Sequence, residues 1–153
     1  MALANDRIHA LLLPVSDRYL LVPSALVAEI AVVDALTPVP LSPPWVLGVM
    51  IWRSRPLALC DLGRFWGPPA TVGPKSRAVV FYPLPGRSPT EFFAVLTNAE
   101  PQSRTIESPA VLLTDDDAVH PHLAVSLDID GKRAGIPDIV SLKELFYDAT
   151  AVA

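Results

Sequence analysis

The sequence predicts a mostly β protein built of many short strands, and three observations carry that prediction. Seventeen prolines spread along 153 residues, against only 7 glycines, leave no room for long helices. Proline breaks helix interiors but is tolerated at strand ends, edges and turns. The apolar residues fall in short runs bounded by Pro, Gly, Asp and Ser, as strands between turns do. Hydrophobic residues make up 51% of the chain and charged residues 18%, which builds a core and excludes a disordered chain. The length suffices for one sizeable core, or for two small halves sharing one.

Ile8 to Val15 and Tyr19 to Val22 read as strands, joined by the polar trio Ser16-Asp17-Arg18 at the spacing of a hairpin turn. Pro23-Ser24 then opens residues 25–34. Proline in a first turn starts one helical turn, and the β-branched pair Val32-Val33 favours a return to strand. Thr37 to Pro44, with prolines at 38, 40, 43 and 44, is an extended loop.

Trp45 to Trp52 is almost wholly apolar, so it reads as a strand covered on both faces. It runs into the charged turn Arg53-Ser54-Arg55 and returns as a strand over Leu57 to Cys60. Asp61 to Trp66 has the pattern of a short helix capped by Asp61. Pro68, Pro69, Gly73 and Pro74 mark a break, giving one domain over 1–153 with approximate halves 8–67 and 75–148.

Beyond the break, strands are expected at Ala78 to Tyr82, Phe92 to Thr97, Ala110 to Thr114, Leu123 to Ile129 and Arg133 to Ile136. Val140 to Phe146 places Leu142, Leu145 and Phe146 on one face of a closing helix. The stretches Leu59 to Trp66 and Ile139 to Phe146 share a pattern of apolar pair, capping residue, Leu, two spacers and a large apolar pair. This suggests two related β units, each ended by a short helix.

Composition narrows the function classes. The net charge is −4, with no clustered basic patch, so nucleic acid is not an expected partner. Residues 1–90 hold 8 Lys/Arg and 5 Asp/Glu, giving +3, whereas residues 91–153 hold 4 and 11, giving −7. Cys60 is the single cysteine, which fits a reducing cytoplasm and rules out an internal disulfide. No stretch reads as a secretory signal or a membrane span, so no direct membrane insertion is expected.

Catalytic signatures are sparse. There is no Gly-x-Ser-x-Gly elbow and no glycine-rich phosphate loop. Cys60 lies in an apolar run, where a thiol is an inert core residue. Asp115-Asp116-Asp117 with His120 and His122 offers metal-type ligands, but in an extended loop those side chains diverge. On spacing alone, Arg53 and Arg55 are the solvated end of two strands, and Glu29 is a surface position on an amphipathic element.

Taken together, Glu29-Ile30, Pro40, Pro43, Trp45, Val46, Gly48, Val49, Arg53, Asp61 and Leu62 resemble, in order and spacing, the CheW family. These are scaffold proteins that couple chemoreceptors to a histidine kinase. The chain departs from the family pattern at Ile51 (for Asn), Trp52 (for Leu), Ser54 (for Gly) and Ala58 (for Pro). The match covers residues 8–67, and only Phe93-Ala-Val-Leu-Thr97 echoes the family's second-half strand.

The resemblance implies two small five-stranded SH3-like β-barrels packed on a shared core, with short helices. It implies a non-enzymatic cytoplasmic adaptor without a cofactor, whose partners are a CheA-type histidine kinase and the cytoplasmic tip of a chemoreceptor. Glu29, Val46, Gly48, Ile51, Arg53 and Arg55 are the implied partner-binding residues. The Trp52-Arg53 form of the turn is similar to auxiliary members that serve type IV pilus twitching motility. Two other readings stay open: a metal-dependent hydrolase using Asp115, Asp117, His120 and His122, and a β-barrel module for another ligand.

Overall fold

The structure is a computed structural model that describes residues 8–84, 86, 88, 91–106, 111–113, 122–138, 140–142, 144 and 145. The strands, in chain order, are β1 (Ile8–Val15), β2 (Arg18–Pro23), β3 (Val27–Val32), β4 (Val46–Trp52), β5 (Arg55–Cys60) and β6 (Arg77–Phe81). They continue with β7 (Phe93–Thr97), β8 (Gln102–Ile106), β9 (Val111–Leu113), β10 (Leu123–Ile129) and β11 (Lys132–Pro137). One sheet has the order β8-β1-β2-β11-β10-β9 and the other β3-β6-β7-β5-β4. The mostly β expectation holds.

Two β-sheets with few helices agree with the expected pair of small SH3-like units, although the sheets are not closed barrels. Among the described residues the sheets have six and five strands, and the strand pairings leave each open at its edges. Each sheet also takes strands from both sides of the 67–74 break, so the halves 8–67 and 75–148 are not the two sheets. Among the described residues four pairings do this stitching: the antiparallel β1–β8 and β3–β6 pairs, and two short parallel ones, Ala134 and Gly135 of β11 against Tyr19 and Leu20 of β2, and Leu59 and Cys60 of β5 against Ala94 and Val95 of β7.

Strand alternation distributes the side chains over three apolar layers. Leu11, Leu13 and Val15 of β1 join Val79 and Phe81 of β6, Phe93 and Val95 of β7, and Trp45 in the cluster shared by both sheets. Ala10 and Leu12 point the other way, into a cluster of the six-stranded sheet alone. Met50, Trp52, Leu57, Leu59, Val80 and Ala94 form the corresponding cluster of the five-stranded sheet. Most of the apolar run before residue 53 is explained by this coverage, with Trp45 and Val46 in the shared cluster and Leu47, Met50 and Trp52 in the other, while Ile51 stays exposed.

Smaller corrections have local causes. Arg18 is a buried strand residue rather than part of the turn, because Val15 pairs directly with Arg18 and leaves a two-residue loop. Leu62–Phe65 is a 3-10 turn, and Asp61 makes no side-chain cap to it. Its buried carboxylate instead accepts the Ala70 N–H at 2.9 Å, fastening the Pro-rich stretch that follows. Strand β8 has the sequence Gln-Ser-Arg-Thr-Ile, in which Ile106 alone is apolar, too weak a signal to mark an edge strand.

Residues 140–142 and 144–145 are helical, as expected of the closing element, and Phe146 lies outside the described residues. Asp138 starts this helix: its side chain accepts the Ser141 N–H and its carbonyl the Leu142 N–H. Leu142 is buried in the shared cluster. Among the described residues no helix is long and apolar enough to cross a membrane.

Candidate partner-binding site

The β4–β5 hairpin has a two-residue turn, Arg53-Ser54, between the paired residues Trp52 and Arg55. Both turn residues have positive φ, 47° and 64°, the backbone of a type I′ turn. That geometry favours Asn-Gly. The β10–β11 turn uses Asp130-Gly131 for the same purpose, with φ of 52° and 79°. Arg53 and Ser54 are therefore held in a conformation that side chains with a Cβ adopt at a cost.

Glu29 reaches the turn from the edge strand β3, where a register shift between Val27 and Glu29 re-aims the side chain. Its two carboxylate oxygens divide their work. Oε1 accepts from Arg53 Nη2 at 2.8 Å, and Oε2 accepts from Trp52 Nε1 at 3.1 Å. The Arg53 guanidinium lies 4.6 Å from the centre of the Trp52 ring. The Arg53 and Trp52 hydrogen bonds hold the Glu29 carboxyl below its ordinary range, against a small opposing effect of burial.

The Arg53 and Glu29 side chains are 61% and 39% exposed, so this ion pair contributes on the order of 0.2–1 kcal/mol. Its effect is to fix orientation: Trp52, only 5% exposed, is pinned by its N–H, and the guanidinium is held over its ring. The aromatic surface continues sideways. Phe92 packs on Trp52 at 5.1 Å and on Tyr82 at 5.9 Å, and Arg55 lies 5.8 Å over the Phe92 ring. Together these groups close one end of the five-stranded sheet's own apolar layer.

The six residues expected to bind a partner fall into three settings. Glu29, Arg53 and Arg55 converge at the turn as just described. Ile51 is 64% exposed, but alternation puts it on the opposite face of the hairpin, paired with the exposed Pro56. Val46 is half-buried and packs on the shared core, and Gly48 is buried.

Gly48 has a backbone role. A Cβ there would stand 2.8 Å from the Thr37 carbonyl oxygen, and its φ is +152°. The missing side chain lets Thr37 bridge Val49 through two hydrogen bonds of 2.9 and 2.8 Å, laying the Pro-rich loop along the β4 edge. The sequence reading missed Trp52, Phe92 and Tyr82 as members of the site. Trp52 is within reach of simple alternation, since it shares a face with Arg55. Phe92 and Tyr82 arrive only through the β5–β7 and β6–β7 pairings.

The metal-type residues give a different picture. Asp115, Asp116, Asp117 and His120 lie outside the described residues. His122 shares a hydrogen bond between its Nδ1 and the Ser141 Oγ, and its ring meets Phe65 edge-on at 4.6 Å. Burial lowers its pKa, while the charge of Asp138 pulls the other way. These contacts make it a joint between the closing helix and the 3-10 turn. Among the described residues no three His, Cys, Asp or Glu side chains group as metal ligands. Burial, with a smaller contribution from the Asp61 charge, pushes the Cys60 thiol far above its ordinary range.

Comparison with known proteins places the chain beside a family model and solved structures. The family model described as the CheW-like domain matches residues 9–144, most of the chain. Among solved structures, the scaffolding protein TtCheW from Thermoanaerobacter tengcongensis is similar, with a TM-score of 0.70 at 14% sequence identity. That alignment covers 86% of this chain and 84% of the other, and at such identity it speaks to fold. No curated protein matches.

Proposed function

Because the chain belongs to the CheW-like domain family, a family of chemotaxis scaffolds, we propose that it couples a chemoreceptor's cytoplasmic tip to a CheA-type histidine kinase. It acts in the cytoplasm by holding the two at a set geometry, and its surface makes or breaks no bond. The observation that supports this reading is the clamp at residues 29, 52 and 53. A carboxylate, an indole and a guanidinium are ordered by one another at an exposed hairpin tip. Pre-ordered side chains on a rigid hairpin bind with little further loss of side-chain entropy. The apolar area around them supplies affinity, and the charges set register.

The turn Trp52-Arg53-Ser54 is also where the chain departs from the main family pattern, which supports service in a type IV pilus pathway rather than with flagellar receptors. The test is direct. Purified chain is titrated into a CheA-type kinase and into a receptor cytoplasmic fragment encoded in the same genome, with binding followed by calorimetry. The reading expects a complex with each and a ternary complex with both. Absence of binding to either partner refutes it.

A further inference from the structure

We infer that Arg55, with the aromatic shelf of Phe92 and Tyr82, forms the contact surface for a protein segment that carries a carboxylate beside apolar side chains. This rests on the scaffold reading above and assigns the chemistry of one of its partner surfaces. The two arginines of the turn are not equivalent. Arg53 is engaged by Glu29 at 2.8 Å and lies 4.6 Å from the centre of the Trp52 ring, so its charge is balanced within the chain. Arg55 is exposed and makes no ion pair among the described residues. Its one neighbour of note is the Phe92 ring, 5.8 Å from the guanidinium carbon.

A guanidinium held over a ring face keeps its N–H edge free, and that edge matches a carboxylate in a two-point fork. The surface beside it is aromatic. Tyr82 is 49% exposed and continues the row from Phe92 at 5.9 Å. Cross-strand pairing keeps the row on one face: Trp52 opposes Arg55, and Tyr82 follows Phe81, which pairs with Phe93. An unbalanced cation next to exposed aromatic area is complementary to an acidic, apolar segment, and one such arginine is too little for nucleic acid. Arg53 then serves as the latch that holds the turn, and Arg55 as the group that touches the partner.

The experiment measures binding of wild-type chain, Arg55→Glu and Arg55→Lys to the kinase and to the receptor fragment. In parallel, an NMR titration uses a soluble peptide of alternating Leu and Glu, with a Leu and Lys peptide as control. The inference expects at least a tenfold rise in Kd for Arg55→Glu against one of the two partners. Arg55→Lys should lose less than the charge reversal, and all three proteins should melt alike. The Glu peptide, and not the Lys peptide, should shift resonances of Arg55, Tyr82 and Phe92.

If wild type binds its partners and Arg55→Glu binds them equally well, the inference is overturned and the scaffold reading stands. If wild type binds neither partner but the Glu peptide maps to the shelf, the scaffold reading fails and the inference survives. If neither probe engages, both fall. Should wild type dimerise through this face, with Arg55→Glu monomeric, the occupant is a second copy and the partner assignment is overturned.

Discussion

Replacing Gly48 with alanine tests whether this glycine serves backbone packing or partner contact. The added Cβ would meet the Thr37 carbonyl oxygen at 2.8 Å and the Thr37 carbonyl carbon at 3.2 Å, both backbone atoms that cannot rotate away. One response is to open the Thr37–Val49 bridge, losing two hydrogen bonds of 2.9 and 2.8 Å at about 1 kcal/mol each. The residue also keeps a φ of +152°, which adds about 1–2 kcal/mol of strain for alanine. The sum is about 3–4 kcal/mol, a fall in Tm of roughly 6–16 °C for a domain of this size. Thermal unfolding by circular dichroism gives the number, and hydrogen exchange at the Thr37 and Val49 amides reports the bridge. A variant that melts with wild type and keeps both amides protected refutes the close-approach argument.

Three further outcomes follow from the same contacts. Trp45→Ala should destabilise by about 3–5 kcal/mol in urea unfolding, because a 7% exposed indole against Phe65 leaves a large hole in the shared core; a wild-type midpoint would place Trp45 at the surface. Ser54→Gly should raise Tm by roughly 2–4 °C, since glycine adopts the observed φ of 64° without strain, and a lower Tm contradicts that account. Glu29 has a folded-state pKa below its ordinary 4.5, so its stabilisation is complete above that value and is lost as pH falls through it and then through the folded value. The Tm gap between wild type and Glu29→Gln should therefore be constant at neutral pH and close towards acid; a gap that widens towards acid contradicts the clamp.

Much of the fold was readable from local chemistry. Proline spacing and short apolar runs located nine of the eleven strands among the described residues to within a few residues, and β3 only as a return to strand within 25–34, because turn residues and burial act locally. What escaped were features set by distant partners. Among the described residues strand β8 pairs with β1 alone, and one apolar residue, Ile106, does not advertise it. The pairings that join strands across the 67–74 break, two of them short and parallel, depend on packing of the whole chain. Asp61 looks like a helix cap by position, yet its carboxylate turns to the Ala70 amide nine residues on.

The site was legible in part for the same reason. The charged turn at 53–55 stood out because charge emerges abruptly from a run of apolar residues. Glu29 alone reads as an ordinary surface carboxylate. Its role depends on a β3 register shift and on the hairpin 24 residues later, which brings Arg53 to it. Gly48 and Val46 share the motif with Arg53, but they hold the backbone and core that present it. A motif in sequence thus mixes residues that display a surface with residues that touch it.

The measurement closest to the central claim is co-sedimentation of the kinase with receptor-bearing membranes, with and without this chain. The account predicts that kinase pellets only when the chain is present, in proportion to it, and that the chain is recovered chemically unchanged. Kinase that pellets equally well without the chain, or a chain that binds one partner and excludes the other, would contradict it.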